Sequence, residues 1–198
     1  MYPVLTAAEI LRIGKREEEA LPGLTGKISN AERLHARAAE NLERLASQKE
    51  VGTAAESLAA LAQTEAMLRT AAKLLDETSR ELTAVRSSLS EEIQWLSPDV
   101  PLTPFGKPFE PLEDSELETQ SDRRRAQLSL SAKTAEELLK TAQVLSESIL
   151  ASQSQCRTLR RTISAAKSHA DTTELLEALA KTRAAVKAPF PGKKGNDG

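Results

Sequence analysis

Six leucines recur at intervals of seven residues along one stretch of the chain, and this spacing constrains the fold more than any other feature of the sequence. They are Leu61, Leu68, Leu75, Leu82, Leu89 and Leu96. A heptad repeat of apolar residues places one stripe of side chains along one side of an α-helix, and such a stripe packs against a partner helix. We therefore expect a long helix with a buried seam.

A second heptad pattern begins at Leu128 and continues for much of the remaining chain. Its apolar members include Leu138, Leu145, Ile149, Cys156, Leu159 and Ile163. The phase of this pattern slips at residues 171–174, which indicates either a stutter or a short break at Asp171. The second seam is the nearest candidate partner for the first.

A proline-rich stretch separates the two seams. It holds Pro98, Pro101, Pro104, Pro108 and Pro111. Because proline removes a backbone donor and clashes inside a helix, we expect an extended connector over residues 97–114.

Five segments follow from these patterns. Residues 1–27 are predicted to form a short helix and a turn, with a capping box at Thr6 and Glu9 and an end at Leu21-Pro22-Gly23. Residues 28–96 form the first long arm, which is either nearly continuous, the favoured reading, or broken at Gly52. The connector follows at 97–114, the second arm at 115–187 and a disordered basic tail at 188–198.

The two arms have matching lengths, about 100 Å and about 110 Å at 1.5 Å per residue. The predicted fold is therefore all-α, an elongated antiparallel helical hairpin or coiled-coil bundle with a proline-rich bend. The seams are rich in Ala, Ser and Thr, which bury little apolar area, and further apolar residues widen the stripes. We therefore expect additional helices from another chain, either a second copy or other helical proteins.

Composition narrows the classes of function. The chain has 198 residues, a net charge of −2 and only 3% aromatic residues, which argues against a general nucleic-acid binder and against a basic membrane-curving module. One cysteine allows no internal disulfide. Without an apolar run long enough for a membrane span or a signal peptide, we expect an intracellular, soluble protein that is cytoplasmic or associated with the cytoskeleton.

Residues with reactive side chains are few. His35 and His169 are interpreted as solvated surface histidines, because no further metal ligands are arranged around them. Cys156 lies in the second seam near Arg157, Arg160 and Arg161, and is interpreted as a small core residue, with a redox-sensitive thiol as the alternative. Phosphate-binding glycine motifs are absent from the sequence. We expect no catalytic residue, no cofactor and no metal.

Two segments are candidates for binding a partner. Trp95, Phe105 and Phe109 gather around the connector, where they either anchor a partner or seal the end of the hairpin. Residues Arg123, Arg124 and Arg125 follow an acidic run, and either dock on an acidic surface such as tubulin or lie at a solvated helix start. A basic tail at residues 181–198 is a weaker candidate for an anionic partner.

In organisation the chain resembles small helical subunits of cytoskeletal, ciliary, kinetochore or tethering assemblies. The first hypothesis is a non-catalytic structural or scaffold subunit that acts through coiled-coil packing. The alternative is a regulatory adaptor that binds a partner transiently through the proline-aromatic bend and the basic tail.

Overall fold

A computed structural model describes residues 7–47, 54–96 and 115–168. They form four helices: α1 at Ala7–Ile10, α2 at Lys15–Ser47, α3 at Ala54–Trp95 and α4 at Ser115–Ser168. Within these three ranges there is no β-strand. The all-α prediction is therefore confirmed.

The helices contribute to two compact units. Unit 1 comprises Met1–Ile28 and Glu77–Ala142, and unit 2 comprises Ser29–Asp76 and Gln143–Gly198. The described parts of α2, α3 and α4 each supply residues to both units. Each unit therefore packs segments of the three long helices together, and unit 1 also contains α1.

Side-chain pairs in unit 1 give the directions of the helices. Glu17 of α2 pairs with Ser88 of α3, and Lys27, further along α2, pairs with Glu81, earlier in α3, so the two helices are antiparallel. Likewise Ser121 of α4 donates to the Leu96 carbonyl at 3.5 Å, at the C-terminal end of α3. A hydrogen bond with Lys140 lowers the pKa of Glu136, which follows Ser121 in α4, and the charge of Arg86, which precedes Leu96 in α3, lowers this pKa further. Helices α3 and α4 are therefore also antiparallel. The fold is a three-helix bundle of long antiparallel helices.

The predicted two-armed hairpin is therefore wrong in one respect: the third helix comes from the same chain. Residues of α2 follow their own heptad pattern, with Leu21, Leu24 and Ile28 buried in unit 1 and Ala31, Ala38, Leu42 and Leu45 buried in unit 2. This third seam meets the widened stripes of α3 and α4. The chain thus supplies a third helix itself, and helices from another chain stay a prediction.

The predicted helix end at Leu21-Pro22-Gly23 is also wrong. Helix α2 runs through Pro22, whose side chain is exposed, while Leu21 and Leu24 on either side of it are buried. An interior proline costs a helix about 3 kcal/mol. Each buried leucine returns about 1.5–3 kcal/mol, so the packing of this face outweighs the local penalty.

The chain turns instead at Gly14, between α1 and α2. Its φ of +72° is the left-handed conformation that glycine adopts without strain. The turn is closed by backbone hydrogen bonds from Lys15 to the Arg12 carbonyl and from Glu18 to the Gly14 carbonyl. Pro22 and Gly23 suggested a helix end more strongly in the sequence, but Gly14 provides the turn.

A single continuous helix over residues 29–96 is excluded, because α2 and α3 are antiparallel. Gly52 itself lies outside the described residues. The second arm begins at Ser115, as expected, and is helical through Ser168. The rest of that arm to residue 187, the shift at Asp171, the connector at 97–114 and the tail at 188–198 are also outside the described residues.

The predicted seam residues of α3 and α4 lie in the cores of the two units. Unit 1 buries Leu82, Leu89 and Leu96, and unit 2 buries Leu61, Leu68, Leu75, Ile149, Cys156, Leu159 and Ile163. Leu138 and Leu145 are half-buried. Alanines such as Ala71 and Ala135 occupy other fully buried seam positions, where a small side chain lets helices approach closely.

Candidate anion-binding groove

An open groove of about 480 Å³ lies on the surface of unit 2. It is lined by Glu65 and Arg69 of α3 and by Gln153, Arg157, Arg160 and Arg161 of α4. Residues three, four, seven or eight positions apart share one face of a helix, so both helices present their polar side chains to the same groove. Within the described ranges, all the residues that line the groove therefore lie in two helices, and no loop contributes to it.

Four arginines and one glutamate line this groove, which gives it a charge of 4 − 1 = +3. The surrounding sequence strengthens the imbalance, because residues 148–168 contain Arg157, Arg160, Arg161 and Lys167 and no acidic residue. The whole chain carries −2, so the positive charge is local. Guanidinium groups present planar pairs of donors that fit carboxylate and phosphate oxygens.

The single carboxylate of the groove is already held by arginines. Glu65 Oε2 lies 3.0 Å from Arg160 Nη2 and 3.5 Å from Arg69 Nη2. Its side chain is only 14% exposed, whereas that of Arg69 is 76% exposed. Arg157 and Arg161 are exposed and have no ion-pair partner within the described ranges. The groove therefore has guanidinium donors in excess of its own acceptor.

Cys156 lies beneath this surface and is completely buried. Burial, together with the nearby negative charge of Glu65, raises the pKa of the thiol to about 11, and Arg160 opposes this only in part. The thiolate is the reactive form of cysteine. At neutral pH Cys156 is therefore a protonated core residue, which agrees with the first interpretation of it.

The sequence contains a signal for this groove in Arg157, Arg160 and Arg161. Their spacing, together with the absence of acidic residues between Glu147 and residue 168, indicates an unbalanced basic face of a helix. The contribution of Arg69 required the packing of α3 against α4, which the sequence does not specify by itself.

The aromatic candidates are only partly placed. Trp95 is the last residue of α3 and is 58% exposed. Phe105 and Phe109 lie outside the described residues. Trp95 is thus open to a partner, but whether the three aromatic side chains come together stays untested.

The three consecutive arginines of α4 do not form one docking surface. Arg123 is exposed, Arg125 is half-buried and pairs with Asp122 at 2.8 Å, and the side chain of Arg124 is only 4% exposed. Since neighbouring positions on a helix point about 100° apart, one of three must face the core here. The predicted use of Arg124 as an external docking residue is therefore wrong.

Arg124 belongs instead to a buried polar cluster in unit 1. Its Nε donates to the Ile13 carbonyl at 2.8 Å, and its Nη2 donates to the same oxygen. Nη2 also lies 2.9 Å from Glu18 Oε2, and Ser131 donates to Glu18 Oε1 at 3.1 Å. The guanidinium thereby ties the α1–α2 turn to α2 and α4.

Glu92 of α3 occupies a seam position in the same cluster. Its Oε2 is buried without a hydrogen-bond partner among the described residues. Burial raises the pKa of this carboxyl group, and the charge of Glu17 adds to the effect, while the Gly14 amide and Arg124 oppose it. A Cβ atom on Gly14 would lie 2.7 Å from Glu92 Oε2 and would collide with Leu128, so another residue here would have to displace both side chains and adopt a strained φ.

His35 is not the solvated surface residue that we expected. It is half-buried at a seam position of α2, and its Nε2 lies 3.0 Å from Ser152 Oγ of α4. Burial lowers the pKa of the imidazole, and a hydrogen bond with the Ser148 backbone opposes this shift. The ring is a polar member of the unit 2 core. His169 lies outside the described residues.

No group of three or more possible metal ligands occurs within residues 7–47, 54–96 and 115–168. In the same part of the chain, none of the helices has the length and apolar character that crossing a membrane requires.

Comparison of the chain with models of protein families, with curated proteins and with solved structures gives no match.

Proposed function

We propose that this protein is a non-catalytic scaffold subunit of a larger protein assembly, one that offers binding surfaces on the outside of a helical bundle. The observation that carries this proposal is the use of three heptad seams from one chain to build one bundle. Leu42, Leu68 and Leu159, one from each long helix, are all fully buried in unit 2. Since the seams are filled internally, partners would bind the outer faces.

The outer faces contain side chains suited to such contacts. Apart from the arginine-lined groove, large apolar side chains are exposed at Leu11, Trp95, Leu130, Val144 and Leu150, with exposed fractions from 58% to 67%. A single exposed apolar residue is common in any protein. The combination of these residues with an unneutralised groove supports binding as the role of the surface.

A second candidate function, a regulatory adaptor, is favoured by Trp95. An aromatic residue with 58% exposure at the end of α3 stands immediately before the proline-rich segment. Aromatic side chains offer much contact area at low entropic cost. In this reading, Trp95 and the segment after it bind the partner and the bundle supports them.

Quantitative affinity purification with three matched baits tests both functions. The baits are the unaltered chain, the variant Arg157→Glu/Arg161→Glu and the variant Trp95→Ala, each shown to be folded by circular dichroism. A scaffold should retain a partner in near-stoichiometric amount that the groove variant loses. An adaptor should lose its partner with Trp95→Ala instead. Identical sets of proteins from three folded baits would contradict both assignments.

A further inference from the structure

The groove of unit 2 has more guanidinium donors than acceptors, and this excess calls for a ligand. Arg157 and Arg161 are exposed, and no carboxylate pairs with either of them among the described residues. Like charges on neighbouring helical turns repel each other. The bundle retains this repulsion although its core does not require it, because Arg157 and Arg161 point away from the buried seam.

The groove itself shows which chemistry fits it. Glu65 supplies a carboxylate to Arg160 at 3.0 Å and to Arg69 at 3.5 Å. A carboxylate is thus already bound between an arginine of α3 and an arginine of α4. A second carboxylate that reached Arg157 or Arg161 would form the same kind of charge-assisted hydrogen bond.

The surface next to the groove distinguishes a polypeptide from other polyanions. Leu150 is 61% exposed, and it precedes Gln153 by three positions and Arg157 by seven on α4. These spacings place the leucine on the same stripe of the helix as the groove. The sugar-phosphate backbone of a nucleic acid offers little to a leucine, whereas a peptide can supply both apolar and acidic side chains.

Overall charge points in the same direction. Nucleic-acid-binding proteins carry a broad basic surface. This chain is acidic overall at −2, and its positive charge is gathered in a groove of about 480 Å³. A local basic groove beside an exposed leucine matches a short acidic segment better than a long polyanion.

We propose that the groove formed by Arg69, Arg157, Arg160 and Arg161, with Leu150 beside it, binds an acidic segment of a partner protein. The segment is an amphipathic helix with glutamates or aspartates one helical turn apart and an apolar residue at one end. Its carboxylates pair with Arg157 and Arg161, and its apolar residue contacts Leu150. This proposal rests on the scaffold function and names the partner chemistry of its surface.

The test measures binding of a labelled peptide to the purified full-length chain by fluorescence anisotropy. The probe is a synthetic helical peptide with glutamates at i and i+4 and one leucine, and a short single-stranded RNA of similar length is the competing probe. Arg157→Glu/Arg161→Glu should weaken peptide binding about tenfold, because it removes two pairs of opposite charge and sets like charges against the peptide carboxylates. Leu150→Ser should weaken peptide binding by a smaller factor.

A matched control separates the groove from total charge. Arg33→Glu/Arg37→Glu makes the same charge change at exposed positions of α2 in unit 2, outside the groove. It should leave peptide affinity within about twofold of the unaltered chain, because neither arginine lines the groove.

Several results would overturn the proposal. They are no peptide binding at low salt, equal losses in the groove and control variants, or RNA binding that is tighter and equally sensitive to the groove variant. Self-association of the chain that the groove variant abolishes would replace the foreign partner with a second copy. The scaffold function has its own test in affinity purification: a near-stoichiometric partner that Arg157→Glu/Arg161→Glu loses, from a chain that does not bind the acidic peptide, would preserve the scaffold function while the acidic-segment proposal failed.

Discussion

The two units of the bundle use the same heptad framework but place different polar groups inside it. Unit 1 buries charge: Arg124 is 4% exposed and meets Glu18, with Glu92 in the next helix. Unit 2 instead keeps neutral polar groups inside, among them His35 and Ser152, and carries its charges in an external groove. The heptad spacing thus specifies which side chains face the core. It does not specify whether a buried polar side chain is charged or neutral.

The difference arises at the α1–α2 turn. In unit 1 the turn delivers the Ile13 carbonyl into the bundle, and Arg124 satisfies it with two hydrogen bonds. A buried backbone carbonyl without a partner costs about 1–3 kcal/mol, so a donor is needed at this place. The described helical segments of unit 2 bring no such turn into their core, and serine, threonine and histidine are sufficient there.

The largest expected effect comes from removing the charged centre of unit 1. Arg124→Met leaves Glu18 and the Ile13 carbonyl without their donor, so we expect the free energy of unfolding to fall by about 3 kcal/mol. Urea denaturation followed by circular dichroism measures the loss. Arg123→Met, at the exposed neighbouring position, should change stability by less than about 0.5 kcal/mol. Similar losses in both variants would mean that the buried cluster contributes nothing particular.

The next effect tests the turn that delivers the carbonyl. Gly14→Ala requires an alanine at φ +72° and a Cβ that collides with Leu128, so we expect a loss of about 2 kcal/mol. Gly23→Ala is the matched control, since that glycine lies inside α2 with nothing within 4 Å of the added Cβ. It should leave stability unchanged or raise it by up to about 1 kcal/mol in the same urea titration. A tolerated Gly14→Ala would show that the turn can relax.

A smaller effect concerns the carboxyl group of unit 1. Burial raises the pKa of Glu92, so its favourable contribution is complete below the unfolded pKa, near about 4.3, and is lost as the pH rises through the folded value. Glu92→Gln removes the loss of stability that accompanies ionisation, because glutamine does not ionise but has nearly the same shape as glutamate. We expect the variant to be more stable than the unaltered chain at neutral pH, and the gap to close as the pH falls toward 4. Thermal melts across this range measure it, and a gap independent of pH would contradict the assignment.

The smallest effect has the opposite sign and belongs to unit 2. Burial lowers the pKa of His35, so its contribution is complete above about 6.5 and is lost as the pH falls through the folded value. His35→Gln can keep a hydrogen bond to Ser152 without titrating. Between about pH 7.5 and 5 the variant should therefore lose less stability than the unaltered chain. If the two pH profiles coincide in thermal melts, His35 is already as exposed in the folded state as in the unfolded state.

Periodicity predicted the parts of this fold in which spacing alone is decisive. The leucines from Leu61 to Leu96 and the seam around Ile149 and Leu159 are buried as a heptad pattern requires. The start of α4 at Ser115 also followed from the sequence, because prolines before it exclude a helix.

The sequence failed where a local preference opposed tertiary packing. Pro22 and Gly23 predicted a helix end, because the low helix propensity of both residues is visible in the sequence. The burial of Leu21 and Leu24, which stabilises the helix there, is not. Gly14 gave no turn signal as strong as theirs. The groove could not be predicted for another reason. It is lined by Arg69 of α3 and Arg157 of α4, and the sequence does not specify how these two helices are aligned along each other.

The sole cysteine allows local unfolding of the unit 2 core to be measured by thiol labelling. Cys156 is fully buried and its pKa is raised to about 11, so a thiol reagent can modify it only when the surrounding helices separate. When reclosing is faster than modification, the labelling rate of the native chain divided by that of a short cysteine peptide equals the equilibrium constant for opening. The chain therefore carries a built-in reporter of local unfolding that needs no engineered probe, and a bound groove ligand should slow its modification.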